Sequence, residues 1–133
     1  MRDFNFLADD ILVDALLAEI AGLLQIFLDD GVSGSIDLLG LPLSASCLAA
    51  LEQQLGKGEI TAVLTAAGTS EFRETSFPGV WWSSHADETG RIVAMLIEVA
   101  AVPEILLAAQ EDMRRGHKRL LEATLVNKYR KRA

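Results

Sequence analysis

The hydrophobic pattern changes period along the chain, and the changes mark its elements. From Ala8 to about Leu28, apolar residues recur every three or four positions: Leu12, Leu16, Ile20, Leu23, Leu24, Phe27 and Leu28. That spacing gathers them on one side of a helix. Asp9 or Asp10 is placed to cap its start, and Gly31, after Asp29-Asp30, to end it in left-handed backbone. A short apolar segment, Ile36 to Leu41, comes next. Pro42-Leu43-Ser44 then reads as a second helix start. Ser44 is the N-cap, Leu48, Leu51 and Leu55 form one face, and Gly56-Lys57-Gly58 is the stop.

From Glu59 the period is two. Ile60, Ala62 and Leu64 alternate with Thr61, Val63 and Thr65, which predicts a strand. Ala66-Ala67-Gly68 can turn the chain. Thr69 to Phe77 reads as a second strand, Val80 to His85 as a third and Arg91 to Val99 as a fourth, with a hairpin loop ending at Gly90. Such close spacing implies an antiparallel meander. Pro103 suits the first position of a helix carrying Ile105, Leu106 and Ala109, and Glu111 to Leu125 is a further helical run. The order predicts an α+β fold: an antiparallel sheet of three to five strands packed against helices, with helices at both termini.

Composition supports a real core, since half of the 133 residues are apolar and 23% are charged. The expectation is one domain over residues 1–133, with a core at about 35–122 and a basic tail at 123–133. The single cysteine, Cys47, fits a reducing compartment and reads as a small buried hydrophobe. The longest helical pattern is broken by Asp9, Asp10, Asp14, Glu19 and Gln25, so no membrane insertion is expected. Nor does the N-terminus resemble a secretory signal, which together predicts a cytoplasmic protein.

The net charge of −7 conceals a division. Residues 1–113 hold 18 acidic and 4 basic side chains, while residues 114–133 hold 8 basic and 1 acidic. An acidic body repels nucleic acid, so no nucleic-acid partner is expected. The basic tail can dock on that body or on a partner's acidic face.

Sites for metals and cofactors find no support in the sequence. There is no Cys-x-x-Cys, His85 and His117 stand far apart, and no Gly-rich phosphate loop occurs. Ser83 and His85 share a strand face, a pairing common by chance. The most informative run is Arg73-Glu74-Thr75-Ser76-Phe77-Pro78-Gly79-Val80-Trp81-Trp82. Adjacent tryptophans on a strand point to opposite sides. One belongs to the core; the other needs a second layer, a ligand or a partner. Glu98 lies in the apolar run Ile97-Glu98-Val99-Ala100 and should be exposed or paired with a cation, for which Arg73 and Arg91 are candidates.

Taken with Ile97-Glu98-Val99-Ala100-Ala101-Val102-Pro103-Glu104-Ile105-Leu106, that run resembles the two signatures of HupH/HyaF-type hydrogenase expression/formation proteins. Leu41-Pro42-Leu43-Ser44 and Leu55-Gly56-Lys57-Gly58-Glu59 fit as well, so the similarity covers roughly Ser35 to Glu122. Members are often roughly double this length, and the chain resembles their conserved C-terminal region with a short helical lead. The resemblance implies a non-enzymatic accessory protein or chaperone in maturation of an uptake nickel–iron hydrogenase. Its implied partner is the iron–sulfur small subunit or its precursor, with other maturation factors possible. The expected contact surface is Arg73, Glu74, Phe77, Pro78, Gly79, Trp81, Trp82, Glu98, Pro103 and Glu104. Two rival readings remain at this point. One is an enzyme or small-molecule site where Arg73, Glu98 and Glu104 converge; the other is a self-associating homo-oligomer.

Overall fold

Five strands form one antiparallel sheet in the order β1-β5-β4-β3-β2. They are β1 (Gly34–Asp37), β2 (Thr61–Thr65), β3 (Thr69–Glu74), β4 (Val80–Ala86) and β5 (Ile92–Val99). The helices are α1 (Phe4–Asp30), α2 (Ala45–Leu55) and α3 (Gln110–Arg132), and a 3-10 turn spans Glu104–Leu106. The computed structural model describes the backbone of residues 4–132 and the side chains of residues 8–130. The architecture is α+β, with helices toward both ends of the chain.

Cross-strand register sorts the side chains onto two faces. Val80 opposes Val99, and Trp82 opposes Ile97, which in turn opposes Ile36. These residues form the main core with Val13, Leu16 and Ile20 of α1 and Cys47, Leu51 and Leu55 of α2. Both helices therefore cover this face. The opposite face carries Phe72, Trp81 and Ser83, all buried.

The α2 boundaries follow the sequence. Ser44 Oγ accepts the Cys47 N–H at 3.0 Å, and Gly56 ends the helix at φ 68°. Gly31 likewise ends α1, with φ 71°. The α1 start differs: the helix begins before Asp9 and Asp10, so neither caps it. Asp9 instead reaches the N-terminus of α2, accepting from Ser46 Oγ at 2.8 Å and Ser44 Oγ at 3.2 Å. A carboxylate there is favoured by the helix dipole.

Cys47 is fully buried in the core, as expected. Burial pushes its thiol pKa up, and the Asp9 carboxylate adds to the effect. A thiol held neutral and out of water is a poor nucleophile. The expected result is no maleimide labelling of Cys47 at neutral pH in the native protein, and one label per chain after denaturation. Rapid native labelling would contradict the packing.

Two further expectations are corrected. The second strand ends at Glu74, not Phe77, because Thr75 turns inward and its N–H donates to Val80 O at 2.9 Å. The helix expected from Pro103 to Ala109 is a single 3-10 turn over Glu104–Leu106, and α3 is a separate helix. Ala8–Asp30 is also an unbroken 23-residue helical stretch, and an 18-residue window within it has mean hydropathy 2.1, enough by length and composition alone to cross a membrane. Its acids cluster near the ends, and Glu19 is the only charge between residues 15 and 28. One face of this helix is nevertheless committed to the core through Val13, Leu16 and Ile20.

Candidate partner-binding cleft

The Arg73–Trp82 run is built as a structural junction. Thr75 is 3% exposed; its hydroxyl donates to Val80 O at 2.9 Å and accepts the Phe77 N–H at 3.2 Å. Ser76 donates twice to Leu55 O, from N at 2.9 Å and from Oγ at 2.6 Å, satisfying a free carbonyl at the end of α2. Pro78 and Gly79 then form the centre of a turn closed by Val80 N–H to Phe77 O at 3.0 Å. With φ 86°, Gly79 takes the third position of a type II turn, and proline suits the second.

Both tryptophans are buried, at 2% exposure for Trp81 and 5% for Trp82. They do point to opposite faces, but neither is an exposed anchor. Trp82 lies in the main core. Trp81 is covered from the other side, and its indole N–H donates to Ala100 O at 3.1 Å. Since α1 and α2 occupy the Trp82 face and no described side chain of α3 is buried, the element left to cover Trp81 is the strap from Ala100 to Ala109. Pro103, itself fully buried, anchors this strap.

Arg73 lies on the helix side of the sheet, opposite Trp82 in register. Its guanidinium meets Glu52 of α2 at 2.9 Å and Glu71 at 3.3 Å. These half-exposed pairs contribute about 1 kcal/mol or less, and they occupy the arginine. Glu98 lies on the other side, beside Trp81, and accepts from the buried Ser83 Oγ at 3.0 Å. Arg73 and Glu98 therefore cannot converge in one pocket, and neither arginine pairs with Glu98. Ser83 and His85 share a face, but His85 Nδ1 bonds Ser70 Oγ at 2.7 Å instead.

The two signature segments do meet. Val80 opposes Val99, Trp81 opposes Glu98, and the Ala100 N–H donates to Gly79 O at 3.0 Å. Beside this junction lies an open cleft of about 600 Å³. Its floor is Leu96 and Glu98 on β5, one wall is the strap through Val102, Glu104 and Leu107, and the other is the end of α1 with Ser33–Ser35. No basic side chain lies within 4 Å of Glu98 or Glu104 among the described residues. Val102 and Leu107 in this lining are exposed apolar side chains, and Ile105 on the strap and Phe77 in the β3–β4 turn are exposed as well.

Of the ten expected contact residues, the structure thus brings Glu98, Glu104, Phe77, Pro78 and Gly79 to this side. Trp81, Trp82 and Pro103 are interior, Glu74 is half-buried, and Arg73 faces α2. Sequence reasoning missed Phe27, Ser33, Ser35, Leu96 and Leu107 as lining. Their only signal was the small-residue run Gly31 to Ser35, which leaves room between α1 and the strap.

A one-sheet α+β domain with an acidic, apolar-rimmed cleft beside two interlocked motifs defines the class of protein. Residues 12–126 match the conserved C-terminal region of the HupH hydrogenase expression protein, and the chain belongs to that family. It is 36% identical over 87 residues to the hydrogenase expression/formation protein HupQ of Azotobacter chroococcum mcd 1, covering 65% of this chain and 31% of that protein. It is 32% identical over 92 residues to HupH of Rhodobacter capsulatus, covering 69% and 34%. The matched part is thus about a third of these relatives' length. The solved structure of HupH from Thiobacillus denitrificans ATCC 25259 superposes with a TM-score of 0.82 at 37% identity, covering 85% of this chain and 94% of that one.

Proposed function

We propose that this chain is a non-enzymatic accessory protein in the maturation of an uptake nickel–iron hydrogenase, acting in the cytoplasm. Its cleft receives the iron–sulfur small subunit or its precursor. The observation that carries the reading is that Glu98 and Glu104 both line the cleft beside exposed Val102 and Leu107, with no cation paired to either among the described residues. Apolar side chains around a few charges suit a contact with a basic, apolar peptide segment. The family supports the hydrogenase connection, since the relatives are hydrogenase expression/formation proteins.

An enzyme or small-molecule reading loses its main motivation, because Arg73 is on the far side of the sheet. Glu98→Gln combined with Glu104→Lys tests the proposal. The expected result is at least tenfold weaker capture of the small-subunit precursor, about 1.4 kcal/mol, with an unchanged melting temperature.

A further inference from the structure

Helix α1 is apolar on the side turned away from the core. Val13, Leu16 and Ile20 face inward. At 100° per residue, Ile11, Ala15, Ala18, Gly22 and Ile26 line the opposite side. All five are exposed, Ile11 at 69% and Ile26 at 46%. A helix apolar all round is normally covered on both sides. The acids Asp10, Asp14, Glu19 and Asp29 lie on or beside this outer face, and residues 3–56 contain no lysine or arginine.

Helix α3 shows the complementary pattern. Among its described residues none is buried, and it belongs to no substantially packed pair of elements. Met113, Leu120, Leu121 and Leu125 recur at helical spacing along one side, exposed by 54%, 70%, 54% and 60%. Its 23 residues include 8 basic and 3 acidic side chains. A helix in water draws most of its stability from packing an amphipathic face, and here that face has nothing against it.

We propose that α3 of one copy packs against the outer face of α1 of a second copy, reciprocally, in a two-fold dimer. Both halves of the contact are written in one sequence, and their charges are opposite. A two-fold axis uses each half twice. At 1.5 Å per residue, the 27-residue α1 and 23-residue α3 are about 40 and 35 Å long, so they match along their length. Helices lying in a lipid surface carry lysine and arginine on their polar face; the acidic flanks of α1 disfavour that occupant. This inference is independent of the proposed cleft function.

The test has three arms on the full chain. Sedimentation over a hundredfold concentration range should show a dimer that weakens with salt. Leu121→Glu with Leu125→Glu should sediment as a monomer with an intact body. A mixture of an Ala18→Cys chain and a Leu121→Cys chain, treated with a short bismaleimide, should give a mixed cross-linked dimer. A monomer at all concentrations would overturn the proposal. So would a dimer indifferent to the glutamates, or failure of the mixed cross-link. So too would cross-linking within a single chain carrying both Ala18→Cys and Leu121→Cys, which would mean that α3 folds back on its own α1. Protection of α1 by phosphatidylcholine/phosphatidylglycerol vesicles in place of the dimer would also overturn it, in favour of a lipid surface.

Discussion

Trp81→Ala should destabilise the fold by about 3–5 kcal/mol, the range for emptying a large aromatic site. Trp81 is among the largest fully buried side chains. It joins three parts of the molecule: β4, the Glu98 strand beside it, and the strap through its bond to Ala100 O. Removing it opens a cavity and leaves Ala100 O without that donor. Since a domain of this size is stable by only about 5–15 kcal/mol, much of the margin goes. Trp81→Phe keeps most of the volume and loses the hydrogen bond, so a cost nearer 1 kcal/mol is expected. Urea denaturation checks both. Equal, small losses would show that the strap does not depend on the indole. A further consequence is practical: lost partner capture by the alanine variant would report unfolding, not a broken contact.

Gly58→Ala should cost about 2–3 kcal/mol, the upper part of the usual single-substitution range. A Cβ there would sit 2.5 Å from Thr75 O and 3.1 Å from Glu74 O, both backbone atoms that cannot swing aside. The Gly58 N–H also donates to Glu74 O at 2.8 Å, so the two backbones are held together by the same contact. Relief requires moving the chain after α2 away from the β3–β4 turn. That breaks the Ser76 bonds to Leu55 O. Thermal unfolding is the readout, and an unchanged melting temperature would mean that this junction yields easily.

Local features were the most legible in the sequence. Ser44 as N-cap, Gly56 and Gly31 as helix stops, and the period-two strands depend on near neighbours, and the structure has them. The start of α1 was not legible, because Asp9 is a good cap type used for another purpose, 35 residues away at Ser44. The alternation of Trp81 and Trp82 was correctly derived, but the layer over Trp81 is an irregular strap with no hydrophobic period to announce it. Arg73 finds Glu52, 21 positions earlier, through the packing of α2 on the sheet. The cleft draws on α1, β1, β5 and the strap, so only Glu98 and Glu104, inside a recognisable motif, could be named in advance.

Seen this way, the two signature segments serve mainly to lock β4, β5, α2 and the strap together. Of the residues expected to make contact, Glu98, Glu104 and the Phe77–Pro78 turn are the ones left outward, and the proposed contact rests on them. The decisive measurement is the affinity of the purified chain for the hydrogenase small-subunit precursor, beside a Glu98→Gln, Glu104→Lys variant of equal melting temperature. Saturable binding by the first and at least tenfold weaker binding by the second are expected. Equal affinity of the two, or no binding by either, would contradict it.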